Sequence, residues 1–147
     1  MIPYEMKDRY TIADLAEIVA LLRSKDGCPW DKVQTHASIR TDLIEETYEV
    51  IEAIDQSDPV LLQEELGDLL FAAVKVARFF HIDPEEALEG TCEKFIRRFS
   101  AVEAAVTAQG QDMKDVDVSQ LMVYWNRAKH PAKDEIEETE EEKGQST

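Results

Sequence analysis

The sequence predicts an all-α fold, a bundle of four to five helices, on the strength of three observations. Apolar residues make up 44% of the 147 residues and charged residues 33%, while glycine and proline number only five each, which is typical of helical proteins. Apolar side chains recur at helical spacing along most of the chain. Residues that favour helix starts precede several of these segments. We therefore expect one helical domain over residues 1–131 and, beyond it, a tail.

The first helix is predicted from Thr11 to about Lys25. Thr11 supplies a cap, and Asp14 stands at the position that completes a capping box. A polar loop follows over residues 26–36 and contains Trp30. An aromatic residue in a loop either packs into the core or lines a pocket, and both roles are open for Trp30.

The second helix is predicted from about Ser38 to Asp55. Asp58 and Pro59 then provide a cap and a first-turn proline for a third helix that reaches about Phe80. Because the connection between the two helices is short, we expect them to be antiparallel neighbours.

The fourth helix begins with an Asp-Pro pair in the same way, at Asp83, and continues to Gly110. A short fifth helix is predicted from Ser119 to Lys129, since the proline at position 131 disfavours helix before it. These two helices complete the predicted bundle.

The net charge and the cysteines exclude several classes of protein. A formal charge of −16 argues against binding to nucleic acid or to an anionic membrane surface. Seven acidic residues fall within residues 132–147, which predicts a disordered, solvating tail. Cys28 and Cys92 are too far apart for a zinc motif or a disulfide framework. No signal peptide or membrane span fits the first 24 residues, so we expect a cytoplasmic protein.

Acidic residues cluster on one side of the second helix. At about 100° per residue, Asp42, Glu45, Glu49 and Glu52 fall within about 80° of one another, with Glu46 beside them. Such a Glu-Glu-x-x-Glu pattern alone is more often a solvated helix face than a binding site.

The third helix strengthens the case for a metal site. From Leu66 to Ala77 only Asp68 and Lys75 are ionisable, so we expect this helix to be buried and Asp68 to need a partner. Lys75 lies about two turns away, beyond the usual reach along one helix. Oxygen ligands on facing helices, Glu65 among them, indicate Mg²⁺ or Mn²⁺ and metal-assisted phosphoryl or nucleotidyl transfer.

Basic residues and a tryptophan form two further candidate sites in this acidic chain. Lys94, Arg97 and Arg98 cluster on the fourth helix, where they serve either as a phosphate clamp or as salt-bridge partners of nearby glutamates. Trp125 and Lys129 are four residues apart on the last helix, either as core and surface residues or as contacts to a base and a phosphate.

These motifs together resemble the MazG family of nucleoside triphosphate pyrophosphohydrolases. The resemblance spans about Thr11 to Lys129 and rests on five segments in the family's order: GCPWDKVQTH, LIEETYEVIEAI, EELGDLLF, KFIRRF and the Trp-x-x-x-Lys of YWNRAK.

The resemblance implies a dimeric all-α fold that binds Mg²⁺ and hydrolyses a nucleoside triphosphate to the monophosphate and pyrophosphate, with a role in clearing the nucleotide pool. It implies metal-site roles for Glu45, Glu46, Glu49, Glu65 and Asp68. It further implies nucleotide contacts for Lys94, Arg98, Trp125 and Lys129, with Arg97 and Trp30 as weaker candidates.

Two alternatives remain open at the level of sequence. The chain resembles related all-α enzymes with narrow substrates, such as dCTP, dUTP or phosphoribosyl-ATP pyrophosphohydrolases, and base choice depends on pocket walls that local spacing does not reveal. A non-catalytic helical module that binds nucleotides or a partner protein is the alternative from another class. Turnover of a substrate panel separates these alternatives.

Overall fold

The protein is all-α in the computed structural model, which describes residues 5–130. Of these residues 77% are helical and none forms a strand, which confirms the predicted fold class. The α-helices are α1 (Ile12–Leu22), α2 (Pro29–Lys32), α3 (His36–Gln56), α4 (Pro59–Phe79), α5 (Pro84–Ala108) and α6 (Val118–Lys129), with a 3-10 turn at Met113–Asp115.

The chain divides into two compact units, Met1–Leu88 and Glu89–Thr147. The prediction of a single domain over residues 1–131 stays a prediction, and the predicted acidic tail lies outside the described residues. None of the helices within residues 5–130 combines the length and apolar character that a bilayer crossing requires.

Helix α1 begins with the predicted capping box. The Asp14 amide donates to Thr11 Oγ1 at 3.2 Å, and the Thr11 amide donates to Asp14 Oδ2 at 2.8 Å. Lys7 also donates to the Asp14 carboxylate. This lysine and the Thr11 hydrogen bonds lower the pKa of Asp14 to about 2, because both stabilise the ionised carboxylate.

The segment after α1 differs from the predicted loop. Pro29 begins the short helix α2, and Trp30 within it is 78% exposed, so the indole does not pack into the core. Helix α3 starts two residues before the predicted Ser38, because Ser38 completes a capping box with Thr35 as the third helical residue.

Helices α3 and α4 form the predicted antiparallel pair, joined by Ser57 and Asp58. Ser57 adopts a left-handed conformation with φ of 54°, and Asp58 Oδ1 accepts hydrogen bonds from the first amides of α4 at 3.0 and 3.1 Å. Asp42 near the start of α3 pairs with Lys75 near the end of α4, as antiparallel helices require.

The prediction that the third helix is buried is wrong for this chain. Only Ala72 and Val74 of α4 are buried, while Leu66 and Leu70 are about half exposed. Asp68 is likewise exposed, so it keeps contact with water and has no strict need of a partner. The apolar residues on all sides of α4 exceed what α1 and α3 cover.

The second unit contains most of α5, the 3-10 turn and α6. Its core consists of Val102, Val106, Val116 and Tyr124. Gly110, with φ of 70°, follows the end of α5 as predicted. Asp117 stands at the N-cap position of α6 without a side-chain hydrogen bond to the helix amides, and the helix begins at Val118 rather than at the predicted Ser119.

Candidate metal and active site

Three of the five predicted metal-site carboxylates converge between α3 and α4. Glu46, Glu49 and Glu65 each offer a carboxylate oxygen, and these oxygens all lie within 4.8 Å of one another. Glu46 and Glu49 share one face of α3 because three residues make nearly one turn. Glu65 reaches them from α4, so the antiparallel pairing of the two helices creates the cluster.

Glu46 is one of the two half-buried carboxylates of this cluster. Partial burial raises the pKa of the Glu46 carboxyl above its ordinary value, and repulsion raises it further, from Glu49, Asp68, Glu65 and Asp42 in decreasing order. The ionised form therefore lacks a compensating positive charge at this point.

Glu65 has the same electrostatic character. Desolvation raises the pKa of its carboxyl, and the negative charges of Glu49 and Asp68 add to this effect. Two carboxyls with raised pKa values that face each other across a helix pair favour either a shared proton or a bound cation.

The donor atoms of the cluster fit a hard divalent cation. All three are carboxylate oxygens, which are the ligands that Mg²⁺ and Mn²⁺ prefer. Glu49 is exposed while Glu46 and Glu65 are half-buried, so the cluster is open to solvent on one side. A metal held here would keep coordination positions for water or a phosphate oxygen.

The other two predicted metal-site residues lie outside the group of three. Asp68 is exposed and close enough to act on both Glu46 and Glu65 through its charge. Glu45 is also exposed and is not among the strongest charges that shift either carboxyl. The structure therefore associates Asp68 with the cluster more closely than Glu45.

Lys75 has a different partner from the one considered in the sequence. Its Nζ donates to Asp42 Oδ2 at 2.9 Å, across the α3–α4 pair, and both side chains are partly buried at 18% and 30% exposure. Helical spacing places Asp42 among the acidic residues of α3 but does not reveal which residue of α4 faces it. Only the register between the two helices identifies this pair.

The predicted nucleotide contacts belong to the second unit, apart from Trp30. Lys94 and Arg97 are exposed and Arg98 is half-buried. The salt bridges found among residues 5–130 are Lys7–Asp14, Asp42–Lys75 and Lys114–Asp112. The alternative of a salt-bridge role for the three basic residues of α5 therefore has no support in the described part of the chain.

Trp125 lines an apolar groove of about 330 Å³ in the second unit. Its ring centroid lies 5.8 Å from that of Phe95, which in turn stacks on Phe99 at 5.8 Å. Trp125 is half-buried against the core of this unit, and Lys129 is exposed at the end of α6. The groove presents flat aromatic surface to solvent beside a positive charge on the same helix.

Residues 34–102 match the family model of the MazG nucleotide pyrophosphohydrolase domain. This segment includes the carboxylates of α3 and α4 together with the basic residues of α5.

Curated relatives are similar over a longer part of the chain. A Thermotoga maritima protein named nucleoside triphosphate pyrophosphohydrolase/pyrophosphatase MazG is 45% identical over 91 residues, which is 58% of this chain and 35% of that protein. An Escherichia coli nucleoside triphosphate pyrophosphohydrolase is 41% identical over 88 residues, 60% of this chain and 33% of that protein. The uncharacterized protein YabN of Bacillus subtilis is 36% identical over 126 residues, 82% of this chain and 24% of that protein.

The chain thus spans between a quarter and about a third of the length of these curated relatives. Among solved structures, it resembles a MazG-related protein from Thermotoga maritima, with a TM-score of 0.58 and 27% identity. That alignment covers 80% of this chain and 97% of the other.

Proposed function

Because residues 34–102 form a MazG nucleotide pyrophosphohydrolase domain, we propose that the protein hydrolyses nucleoside triphosphates to nucleoside monophosphate and pyrophosphate. The observation that carries this proposal is the convergence of Glu46, Glu49 and Glu65 within 4.8 Å. Such a cluster is unfavourable without a cation at neutral pH, and it suits a reaction whose substrate carries phosphates.

The metal in this proposal is Mg²⁺, with Mn²⁺ as the alternative. Its site comprises the five carboxylates predicted from the sequence, in which Glu46, Glu49 and Glu65 form the centre, Asp68 lies beside them and Glu45 is peripheral. When bound, the ion supplies Lewis-acid polarisation and charge neutralisation of the phosphates.

The residues of the chain then perform the remaining steps. A carboxylate of the site accepts a proton from water, and the water oxygen bonds to the α-phosphorus. The bond from this phosphorus to the oxygen that bridges to the β-phosphorus breaks, and pyrophosphate leaves with the bonding electrons. The five carboxylates serve in this sense as catalytic residues as well as metal ligands.

The nucleotide is proposed to contact the basic and aromatic side chains of the second unit and, more weakly, Trp30. Lys94, Arg97 and Arg98 present charge suited to phosphate oxygens. Trp125 offers aromatic surface for a base beside the apolar groove, and Lys129 adds a charge on the same helix. We further propose a role in clearing unwanted nucleotides from the cytoplasmic pool, without nucleic acid as a partner.

A homodimer is part of this proposal. Side chains of α3 and α4 that are 45% to 67% exposed include Ile44, Tyr48, Ile51, Ile54, Leu66 and Leu70. Apolar surface of this extent is unusual for a monomer and is typical of an interface. Light scattering at the mass of a dimer supports this part of the proposal, and a monomer mass contradicts it.

The experiment that tests the reaction is turnover of a panel of nucleoside and deoxynucleoside triphosphates with Mg²⁺ or with EDTA. Chromatography distinguishes the products. Monophosphate plus pyrophosphate, lost in EDTA, supports the proposal, and similar rates across bases favour a broad substrate range over a narrow one. Diphosphate plus phosphate, or metal-dependent binding without turnover, contradicts it.

A further inference from the structure

The Asp42–Lys75 ion pair lies at the edge of the carboxylate cluster. Asp42 precedes Glu46 by one turn and lies on the same side of α3, while Lys75 follows Asp68 by two turns on α4. The pair therefore extends the row of acidic residues between these helices by a further turn. Its Nζ–Oδ2 distance of 2.9 Å and the partial burial of both side chains make it a defined contact.

Asp42 is a further carboxylate on the side of α3 that holds the proposed metal site, one helical turn before Glu46. A partly buried carboxylate is destabilised when no positive charge lies beside it, so binding to another cation becomes favourable. A divalent ion held by Glu46 would lie about one helical turn from Asp42 along α3, while Lys75 now pairs with that carboxylate.

We propose that Lys75 is a positioning residue that holds Asp42 out of the ligand set and so keeps a coordination position free for a substrate phosphate or water. This inference rests on the proposed metal-dependent function. An additional carboxylate would bind the ion more tightly but would occupy that position. It would also shift preference toward larger ions such as Ca²⁺, which takes six to eight oxygen ligands.

The test is Mn²⁺ binding to the full chain, followed through the electron paramagnetic resonance signal of free Mn²⁺. Lys75→Met is expected to bind Mn²⁺ more tightly, because Asp42 can then join the ligands, by roughly tenfold, the scale on which partners of metal ligands alter affinity, while its Mg²⁺-dependent turnover falls. Asp42→Asn is expected to bind Mn²⁺ more weakly, because it leaves the Lys75 charge unpaired beside the cluster. The double variant should return close to the wild type.

Arg78→Met is the matched control, since it removes the same charge one turn further along α4, and it should leave Mn²⁺ binding unchanged. Thermal unfolding of each variant establishes that it is folded. If Lys75→Met does not fold, Lys75→Gln, which also removes the charge, takes its place in the same two measurements. Loss of a charge alone also moves the two metal affinities in opposite directions, so the specific result is lower Mg²⁺-dependent turnover of Lys75→Met at saturating Mg²⁺ despite its tighter binding, which a purely structural ion pair does not predict.

The proposal is overturned if Lys75→Met and Asp42→Asn bind Mn²⁺ as the wild type does, or if Lys75→Met binds it more weakly. Glu49→Gln separates this failure from failure of the proposed function. If the wild type binds Mn²⁺ and Glu49→Gln abolishes this binding, the proposed metal site is supported and only the role of Lys75 is overturned. If the wild type does not bind Mn²⁺, or if Glu49→Gln binds it as the wild type does, the metal site itself is contradicted. This inference then fails together with the site.

Discussion

Glu46 on α3 and Glu65 on α4 bring carboxylate oxygens within 4.8 Å of each other. Both carboxyls have pKa values above the ordinary range, through desolvation and through the charges of neighbouring acidic residues. Folding thus assembles acidic groups that oppose one another unless a cation or proton intervenes. This relationship is the basis of the first two predictions.

Substitution of Glu49 by Gln is expected to weaken divalent-ion binding and to lower turnover by roughly tenfold to a hundredfold or more. Glutamine keeps the shape of the side chain but removes the charge that a hard cation requires. Titration calorimetry with Mn²⁺ and steady-state kinetics measure the two effects. Asp55→Asn is the control, since it removes the same charge from an exposed position nearer the end of α3. Equal losses in both variants would contradict a specific site.

The metal-free protein is expected to lose stability as the pH rises above about 4.5, the ordinary pKa of glutamate. The folded state holds protons on Glu46 and Glu65 more tightly than the unfolded state, so their ionisation disfavours folding. The stabilisation that the protonated Glu46 and Glu65 give to the folded state is complete below that pH. It is lost as the pH rises through their raised pKa values.

Urea unfolding in EDTA at several pH values measures this effect. Glu46→Gln should flatten the dependence, and saturating Mg²⁺ should reverse it, because a bound ion stabilises the ionised form. A wild-type profile identical to that of Glu46→Gln would contradict the electrostatic interpretation.

The capping box of α1 gives a second pH dependence with the opposite sign. The pKa of Asp14 is lowered to about 2, so its contribution to stability is present above the ordinary value of 3.8 and is lost as the pH falls through about 2. Asp14→Asn should remove this acid dependence. Acid unfolding followed by circular dichroism measures this dependence. Thr11→Ala removes the other half of the capping box and should lower the free energy of unfolding by about 1 kcal/mol.

Replacement of Lys94 by Gln is expected to raise KM for nucleoside triphosphates with a smaller effect on kcat. A hydrogen bond to a charged group contributes about 1.5–3 kcal/mol, which corresponds to roughly tenfold to a hundredfold in affinity. Steady-state kinetics at saturating Mg²⁺ provides the measurement. Lys114→Gln removes an exposed lysine of the same unit that pairs with Asp112, and it should behave like the wild type. A normal KM for Lys94→Gln would remove this residue from the proposed phosphate contacts.

Local chemistry accounts for the parts of the fold that could be predicted. The Thr11–Asp14 capping box, the Asp58 cap and the glycine after α5 each depend on residues close in sequence, and the structure contains all three. The same reasoning located the acidic residues of α3 and α4, because helical spacing fixes which side chains share a face.

Contacts between helices were harder to predict. The exposure of Asp68 and the Asp42–Lys75 pair depend on how α3 and α4 align and on how much of α4 they cover. Local spacing contains no information on either property. Trp30 was ambiguous for a related reason, since only the complete structure shows that its short helix leaves the indole exposed.

The most direct test of the central claim is hydrolysis of a nucleoside triphosphate in water enriched in ¹⁸O, with mass spectrometry of both products. Attack on the α-phosphorus predicts ¹⁸O in the nucleoside monophosphate and none in the pyrophosphate, with the reaction abolished by EDTA and strongly reduced in Glu49→Gln. Label in the pyrophosphate, or labelled phosphate beside a diphosphate, would contradict the proposed reaction.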